Sequence, residues 1–366
     1  MTDWTMTRRS ALTAMAATIA VPAFGKRSVR LIAGTYAREG GKGLYPIVYD
    51  ADRDRWQVEA PITGIDDASF GVGRGPSGAY YLVREKTRGD ISAYTPGWVK
   101  AGTASTKGAD PCYIALDRAS GCLAVANYSS GGVAFHTLDP RTGVPGDPVL
   151  FDHVGTGPNT ARQEGPHAHW VGFSPDRRWL HSVDLGTDTI YAYRFDPTAR
   201  TLARPVAAWH ADSGAGPRHL VHHPRLPRAY VVCELTNTLM TLDARADGSF
   251  VTRSRISTLP AGYRGASQAA HIAIDAKGRR VYVSNRGQNG IAVFALDAAG
   301  VPTLLQHISS GGDWPRFFLL LDDARRMVVA NERSATLAIL AIGTDGRLSA
   351  TGQRIGVPGA VFLDRL

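Results

Sequence analysis

Cysteine is scarce in this chain. Its 366 residues hold three, Cys112, Cys122 and Cys233, and an odd count provides no disulfide framework. Cys112 and Cys122 fall at the starts of two successive antiparallel strands, near opposite ends of the pair and too far apart to bridge. All three are expected to be reduced or buried. Long apolar runs are missing too. The stretch over residues 14–21 is too short and too weakly apolar to cross a bilayer, so no membrane span is expected in the mature chain. Lys and Arg number 41 against 32 Asp and Glu, but the arginines outnumber the lysines and are scattered. Without a dense basic run, nucleic acid is not an expected partner, whereas an anionic small molecule suits such a surface. No Gly-x-Ser-x-Gly turn occurs, which argues against a serine nucleophile on a strained elbow.

Glycine and proline, at 40 and 21 residues, are plentiful and suit many tight turns between short strands. One pattern recurs throughout: an apolar strand ends on a polar residue, and a turn follows. Leu31-Ile32-Ala33-Gly34-Thr35, Leu123-Ala124-Val125-Ala126-Asn127 and Tyr230-Val231-Val232-Cys233-Glu234 are three copies. The seven copies close at Thr35, Glu85, Asn127, Asp184, Glu234, Asn285 and Asn331, 42 to 57 residues apart. Self-similarity at that period, in segments that divide into four short strands, predicts an all-β chain: a seven-bladed β-propeller with four antiparallel strands per blade. Residues 26–366 are read as this single domain.

The two chain ends complete the prediction. Pro358-Gly359-Ala360-Val361-Phe362-Leu363 matches the innermost-strand pattern of Pro111-Cys112-Tyr113-Ile114-Ala115-Leu116, while Leu31 to Thr35 matches a second strand with no first strand before it. The C-terminal strand is therefore expected to sit innermost in the N-terminal blade and close the ring. Ahead of the domain, Thr7-Arg8-Arg9-Ser10-Ala11-Leu12 precedes the mildly apolar stretch and Ala23-Phe24-Gly25. Residues 1–25 read as a twin-arginine-type export signal cleaved near Gly25, which implies a periplasmic protein. If the signal does not function, the chain stays cytoplasmic.

In an antiparallel pair, the start of the first strand and the end of the second share one end of the blade. That rim gathers Asn127, Asp184, Glu234, Asn285, Arg286 and Asn331 from second strands, and His167, His169, Arg218, His271 and Arg316 from first strands. Loops over residues 155–166 and 260–270 enter the same rim, and the opposite face looks bland. Arg218 and Glu234 are expected to meet in a solvated funnel, where an ion pair adds little stability, so a functional role is favoured. His167 and His169 share a strand face, as metal ligands often do. With no third ligand in sight, no metal and no other cofactor is expected. Asn127 and Asn331 suit the capping of turn amides, and Asp184 divides evenly between that and the site. His136, His222 and His223 read as packing or surface residues, and Tyr191 and Tyr193 as core between blades.

Five runs resemble one known family: Pro166-His167-Ala168-His169-Trp170, Val183-Asp184-Leu185-Gly186-Thr187-Asp188, Gly216-Pro217-Arg218-His219-Leu220, Glu234-Leu235 and Ser284-Asn285-Arg286-Gly287. They look like the seven-bladed lactonases, which include 6-phosphogluconolactonase and the fungal carboxy-muconate lactonising enzymes. The resemblance spans residues 30–366 and implies catalytic roles for His169, Arg218, Glu234 and Arg286, with His169 preferred to His167. His167, Asp184, His271 and Arg316 are the candidate substrate-binding neighbours. The chain departs from the family pattern at Arg84-Glu85 and in its export signal.

The implied activity is hydrolysis of a sugar lactone or related acid lactone, anionic or polyhydroxylated. It needs a base to activate water and positive charge where the oxyanion develops. Arg218 and Arg286 suit that oxyanion, or a carboxylate or phosphate held bidentately. The base is Glu234 or His169. Two neighbouring arginines weaken the first, and the second starts near neutrality. A periplasmic location favours an unphosphorylated aldonolactone over the phosphorylated sugar lactone of a cytosolic pathway. The alternatives are a muconate-type cyclase that closes a lactone in the same pocket, and a non-enzymatic propeller that binds a partner at its rim. Nothing in the sequence specifies an oligomeric state.

Overall fold

Short alternating apolar stretches broken by left-handed turn residues cannot bury both faces in one sheet, and here they stack as blades. The computed structural model describes residues 28–73, 75 and 78–366; the expected export signal at 1–25 lies outside them. Seven antiparallel sheets follow one another around the ring. Blade five is typical, with strands Pro217–His222, Arg228–Cys233, Thr238–Ala244 and Phe250–Ser257 running from the axis outward. Blade four differs slightly, because its third strand, Thr189–Asp196, pairs with both Thr201–Leu202 and Val206–His210.

Ring closure follows the sequence reading. Blade one places Ala360–Arg365 against Ser28–Thr35, and then adds Leu44–Asp50 and Arg55–Val58. Gly34 sits opposite Phe362 in that seam. A Cβ on Gly34 would lie 1.8 Å from the Phe362 ring and 2.6 Å from the Ala68 carbonyl oxygen. Glycine is needed there for close approach, as its backbone is ordinary.

The core lies between blades. Tyr81, Val83 and Ile91 of blade two pack on Ile114, Leu123 and Val125 of blade three, all buried. Tyr193 is buried in the neighbouring cluster with Tyr191 packed against it. Outer strands such as Val99–Ser105 are largely exposed. The cysteines are free and buried. Among the described residues, no helix is long and apolar enough to cross a membrane.

One detail of register governs the site. In every blade the innermost strand carries one extra residue relative to the second strand, at the axial mouth. Such a bulge re-aims a side chain. In five blades the extra residue is Ser69, Cys112, His169, Arg218 or Arg316. The residue after the bulge turns toward the axis, and these positions form a plug of rings. Phe70 stacks on Tyr113 at 3.9 Å, Tyr113 meets His219 edge-on at 5.1 Å, and His271 stacks on Phe317 at 3.9 Å. Phe317 returns to Phe70 at 5.8 Å, so rings from several blades meet across the channel.

Candidate active site

The polar residue that closes each second strand is not one equivalent position, and this corrects the repeat as read from sequence. Asn127, Asp184, Asn285 and Asn331 lie within the ladder, in the place taken by Arg84 and Cys233 in blades two and five. Glu234 and Glu85 stand one residue later. Their backbone N–H groups donate to Gly216 and Asp67 carbonyls, as those of Tyr36, Tyr128 and Glu332 do to Gly359, Asp110 and Trp314. With Leu185, whose N–H donates to the His167 carbonyl, and Arg286, the residues Tyr36, Glu85, Tyr128, Glu234 and Glu332 complete one such position per blade around the axial mouth.

Glu234 is the hub of one cluster. Its Oε2 lies 2.6 Å from Arg286 Nη2 and 2.9 Å from Arg218 Nε, and Arg162 Nη2 donates to its Oε1 at 2.5 Å. The first two contacts are ion pairs outside hydrogen-bond alignment. Glu234 and Arg218 are each 1% exposed. The expected solvated funnel is thus a buried pair, and the argument from weak surface ion pairs does not apply. Breaking such a pair leaves an uncompensated charge. Burial alone would push Glu234 up, but Arg286, Arg218 and Arg162 outweigh it and hold the carboxyl well below the usual range. Three guanidiniums against one carboxylate leave an excess of positive charge.

Arg162 comes from the loop over residues 155–166, and no strand periodicity marks it. It raises the arginine count around Glu234 from the two expected to three. Its side chain is 29% exposed, unlike the others.

The imidazoles lie against this hub. Arg218 Nη1 donates to the Ala270 carbonyl at 2.7 Å and reaches His219 Nε2 at 3.1 Å. A guanidinium only donates, so His219 accepts at Nε2 and carries its proton on Nδ1, which points at His271 Nδ1 3.1 Å away. His169 stands edge-on to Tyr128 and His219, with its Nδ1 3.7 Å from Cys112 Sγ. Burial first, and Arg218 second, push His169 and His219 well below the ordinary histidine range, and burial and Arg218 do the same to His271. All three are neutral near pH 7.

The remaining candidates divide. His271 belongs to the ring plug, one step deeper than Arg218. His167 stacks on Tyr128 at 4.5 Å, and its Nε2 meets Glu164 at 3.1 Å. Asp184 is fully buried; its Oδ2 takes His153 at 2.6 Å, and its Oδ1 accepts the His167 and Thr187 N–H groups. Those bonds occupy Asp184 with the turn, so it holds the site's frame and does not line the cluster. Arg316 anchors a second group with Tyr36, Glu85 and Glu332. Among the described residues, no group of three or more His, Cys, Asp or Glu is placed to hold a metal ion.

Away from the rim, the buried His136 donates from Nδ1 to the Gly146 carbonyl at 2.8 Å. The opposite face is less bland than its turns suggested. A groove of about 850 Å³ lies there between blades one and two, lined by Tyr80, Tyr94, Trp98, Arg118 and Arg365.

An arginine-clamped carboxylate beside neutral imidazoles, above a ring plug on the axis of seven blades, defines a propeller with a positively charged cluster at its axial mouth. The chain belongs to the lactonase family of seven-bladed β-propellers, whose model matches residues 30–364. It is 28% identical over 335 residues to a 6-phosphogluconolactonase of Bacillus subtilis, covering 89% of this chain and 95% of the relative. A crystal structure from Lactobacillus plantarum superposes with a TM-score of 0.87 at 30% identity, over 93% of this chain and all of that one. The periplasmic gluconolactonase of Pseudomonas aeruginosa gives a TM-score of 0.84 at 25% identity, over 93% of this chain and 99% of that one.

Proposed function

We propose that this chain hydrolyses a sugar lactone, with water activated by His169 and the developing oxyanion met by Arg218 and Arg286. The observation that carries the reading is the Glu234 hub with its three guanidiniums. A carboxylate so strongly stabilised is a poor proton acceptor, since a general base works best with a pKa near the working pH. Glu234 instead fixes the arginines where a carbonyl oxygen gains charge. Burial and Arg218 hold His169 below its ordinary range too, but unlike Glu234 it is not bound by three guanidiniums, and its Nε2, with no hydrogen bond among the described residues, is left to take a proton from water. Attack by that water on the ring carbonyl forms the tetrahedral adduct. Its collapse breaks the ring C–O bond, and the alkoxide recovers the proton as the hydroxyl of the open acid. Support for lactone chemistry comes from the family and from its named relatives. The gluconolactonase from a periplasm, together with the paired arginines near the N-terminus, supports an exported enzyme acting on an unphosphorylated aldonolactone.

The test is acid release by residues 26–366 from glucono-δ-lactone and 6-phosphogluconolactone, against the spontaneous rate. His169→Ala should lose at least about a hundredfold in kcat, within the range for general-base catalysis. Glu234→Gln should lose activity together with thermal stability. Rates equal to buffer for both lactones would end the proposal.

A further inference from the structure

The mechanism leaves the second axial group unused. Arg316 Nη2 donates to the Tyr36 hydroxyl at 2.9 Å and stands 3.7 Å from Glu85 Oε2, while its Nη1 is 3.8 Å from Glu332 Oε2. Both carboxylate distances exceed those of a charge-assisted hydrogen bond. The Tyr36 hydroxyl also donates to Glu85. Glu332 is 3% exposed, and its Oε2 has no hydrogen-bond partner, while its Oε1 accepts from Arg38 at 3.3 Å. A buried carboxylate oxygen left without a donor is costly and calls for an explanation. Two guanidiniums, Arg316 and Arg38, face two carboxylates, Glu85 and Glu332, so this side of the axis is neutral in sum. The Glu234 side carries the positive excess.

The two groups meet around Trp314, whose ring centre lies 5.6 Å from Arg286 Cζ and whose carbonyl accepts the Glu332 N–H. Arg286 is pushed down first by burial and further by Arg316, while Glu234 and Glu332 push it up. Burial would likewise lower Arg316, but Tyr36, Glu85 and Glu332 outweigh it and keep it charged.

Resting on the lactonase reading, we infer that Glu332, Glu85 and Arg316 form a polyol subsite that binds the hydroxyl groups of the lactone. A sugar hydroxyl both donates and accepts. Set between Arg316 and Glu332, it accepts from the guanidinium and donates to the orphaned oxygen, filling the gap that the 3.8 Å separation leaves. A phosphate or carboxylate has no proton to give those glutamates and would be repelled by them. The substrate class is therefore a polyhydroxylated lactone whose hydroxyls, and no anionic group, face blades two and seven. Glu332 and Glu85 are substrate-binding residues with no part in the proton transfer.

The test compares a hydroxylated and a bare ring. Glu332→Gln and Glu85→Gln are assayed on glucono-δ-lactone and δ-valerolactone, with thermal melts to establish that each variant folds. For glucono-δ-lactone, KM should rise at least about tenfold, as expected for losing a hydrogen bond to a charged group, with kcat within about threefold of the parent. For δ-valerolactone neither constant should move. Equal losses on both lactones, or no change on either, would overturn the subsite. Calorimetric titration with gluconate and with 5-hydroxypentanoate reads binding apart from catalysis. If the parent hydrolyses neither of these lactones nor 6-phosphogluconolactone, the hydrolytic reading falls, while gluconate binding weakened at least about tenfold by Glu332→Gln would still uphold the subsite. Gluconate binding unchanged in a folded Glu332→Gln protein would sink it.

Discussion

Single residues here are governed by one extra amino acid per innermost strand. Arg218 and Glu234 were readable as partners because each ends a strand at the same rim, and that much needs only antiparallel geometry. The axial neighbours Tyr36, Tyr128 and Glu332 were not readable. Their polar or aromatic side chains sit one position past the strand, where no alternation distinguishes inward from outward, and only the bulge register sets their direction. Arg162 was hidden for a different reason, since loop residues have no period at all. At this scale the proposed base makes a clear prediction. Burial and the charge of Arg218 keep His169 well below 6.5, so its neutral form persists as pH falls. The acid limb of kcat/KM should therefore lie below pH 6.5, and a limb at or above 6.5 in a pH–rate profile would remove His169 as the base.

The most exacting element is the seam between Ser28–Thr35 and Ala360–Arg365. Its existence was legible from two incomplete repeats at the chain ends. The closeness of its packing was not, because sequence says nothing of the Phe362 ring lying over Gly34. Gly34→Ala places a methyl group inside that ring, and overpacking of this kind costs about 1–3 kcal/mol or more. Chemical denaturation should show the loss as a lower midpoint with an unchanged slope. Removing residues 358–366 goes further, for it takes away the buried Ala360, Val361, Phe362 and Leu363 and leaves an inner strand edge unpaired. Such an edge invites association. The truncated chain should lose its cooperative thermal transition, and a normal melt would refute the role given to the seam.

Across the whole molecule, histidines withdrawn from water, His181 buried and His222 half-buried, set the response to acid. On the face opposite the site, burial lowers His181 to about 4 and His222 to about 3. Their folded values lie beneath the unfolded value near 6.5, so as pH falls below 6.5 the unfolded chain takes up protons that the folded chain refuses. The stability they contribute is whole above pH 6.5 and is lost as pH falls toward 4. His181 alone accounts for roughly 3 kcal/mol by pH 4, at about 1.4 kcal/mol per unit. Urea midpoints measured from pH 7 down to pH 4.5 should fall steadily, and His181→Leu should flatten the slope. A midpoint independent of pH over that range would contradict the burial described for these rings. The propeller itself was the most legible feature of all, since seven repeats of one pattern leave few other ways to bury their apolar faces.

The strand nearest the hub of the first blade is encoded last. While the ribosome is still at work, Leu31 and Ile32 must wait for a partner more than three hundred positions downstream. Every other blade can assemble from neighbouring segments as it emerges. A half-made molecule is therefore an open arc with one raw end, and the circle can be completed only once residues 360–365 have emerged.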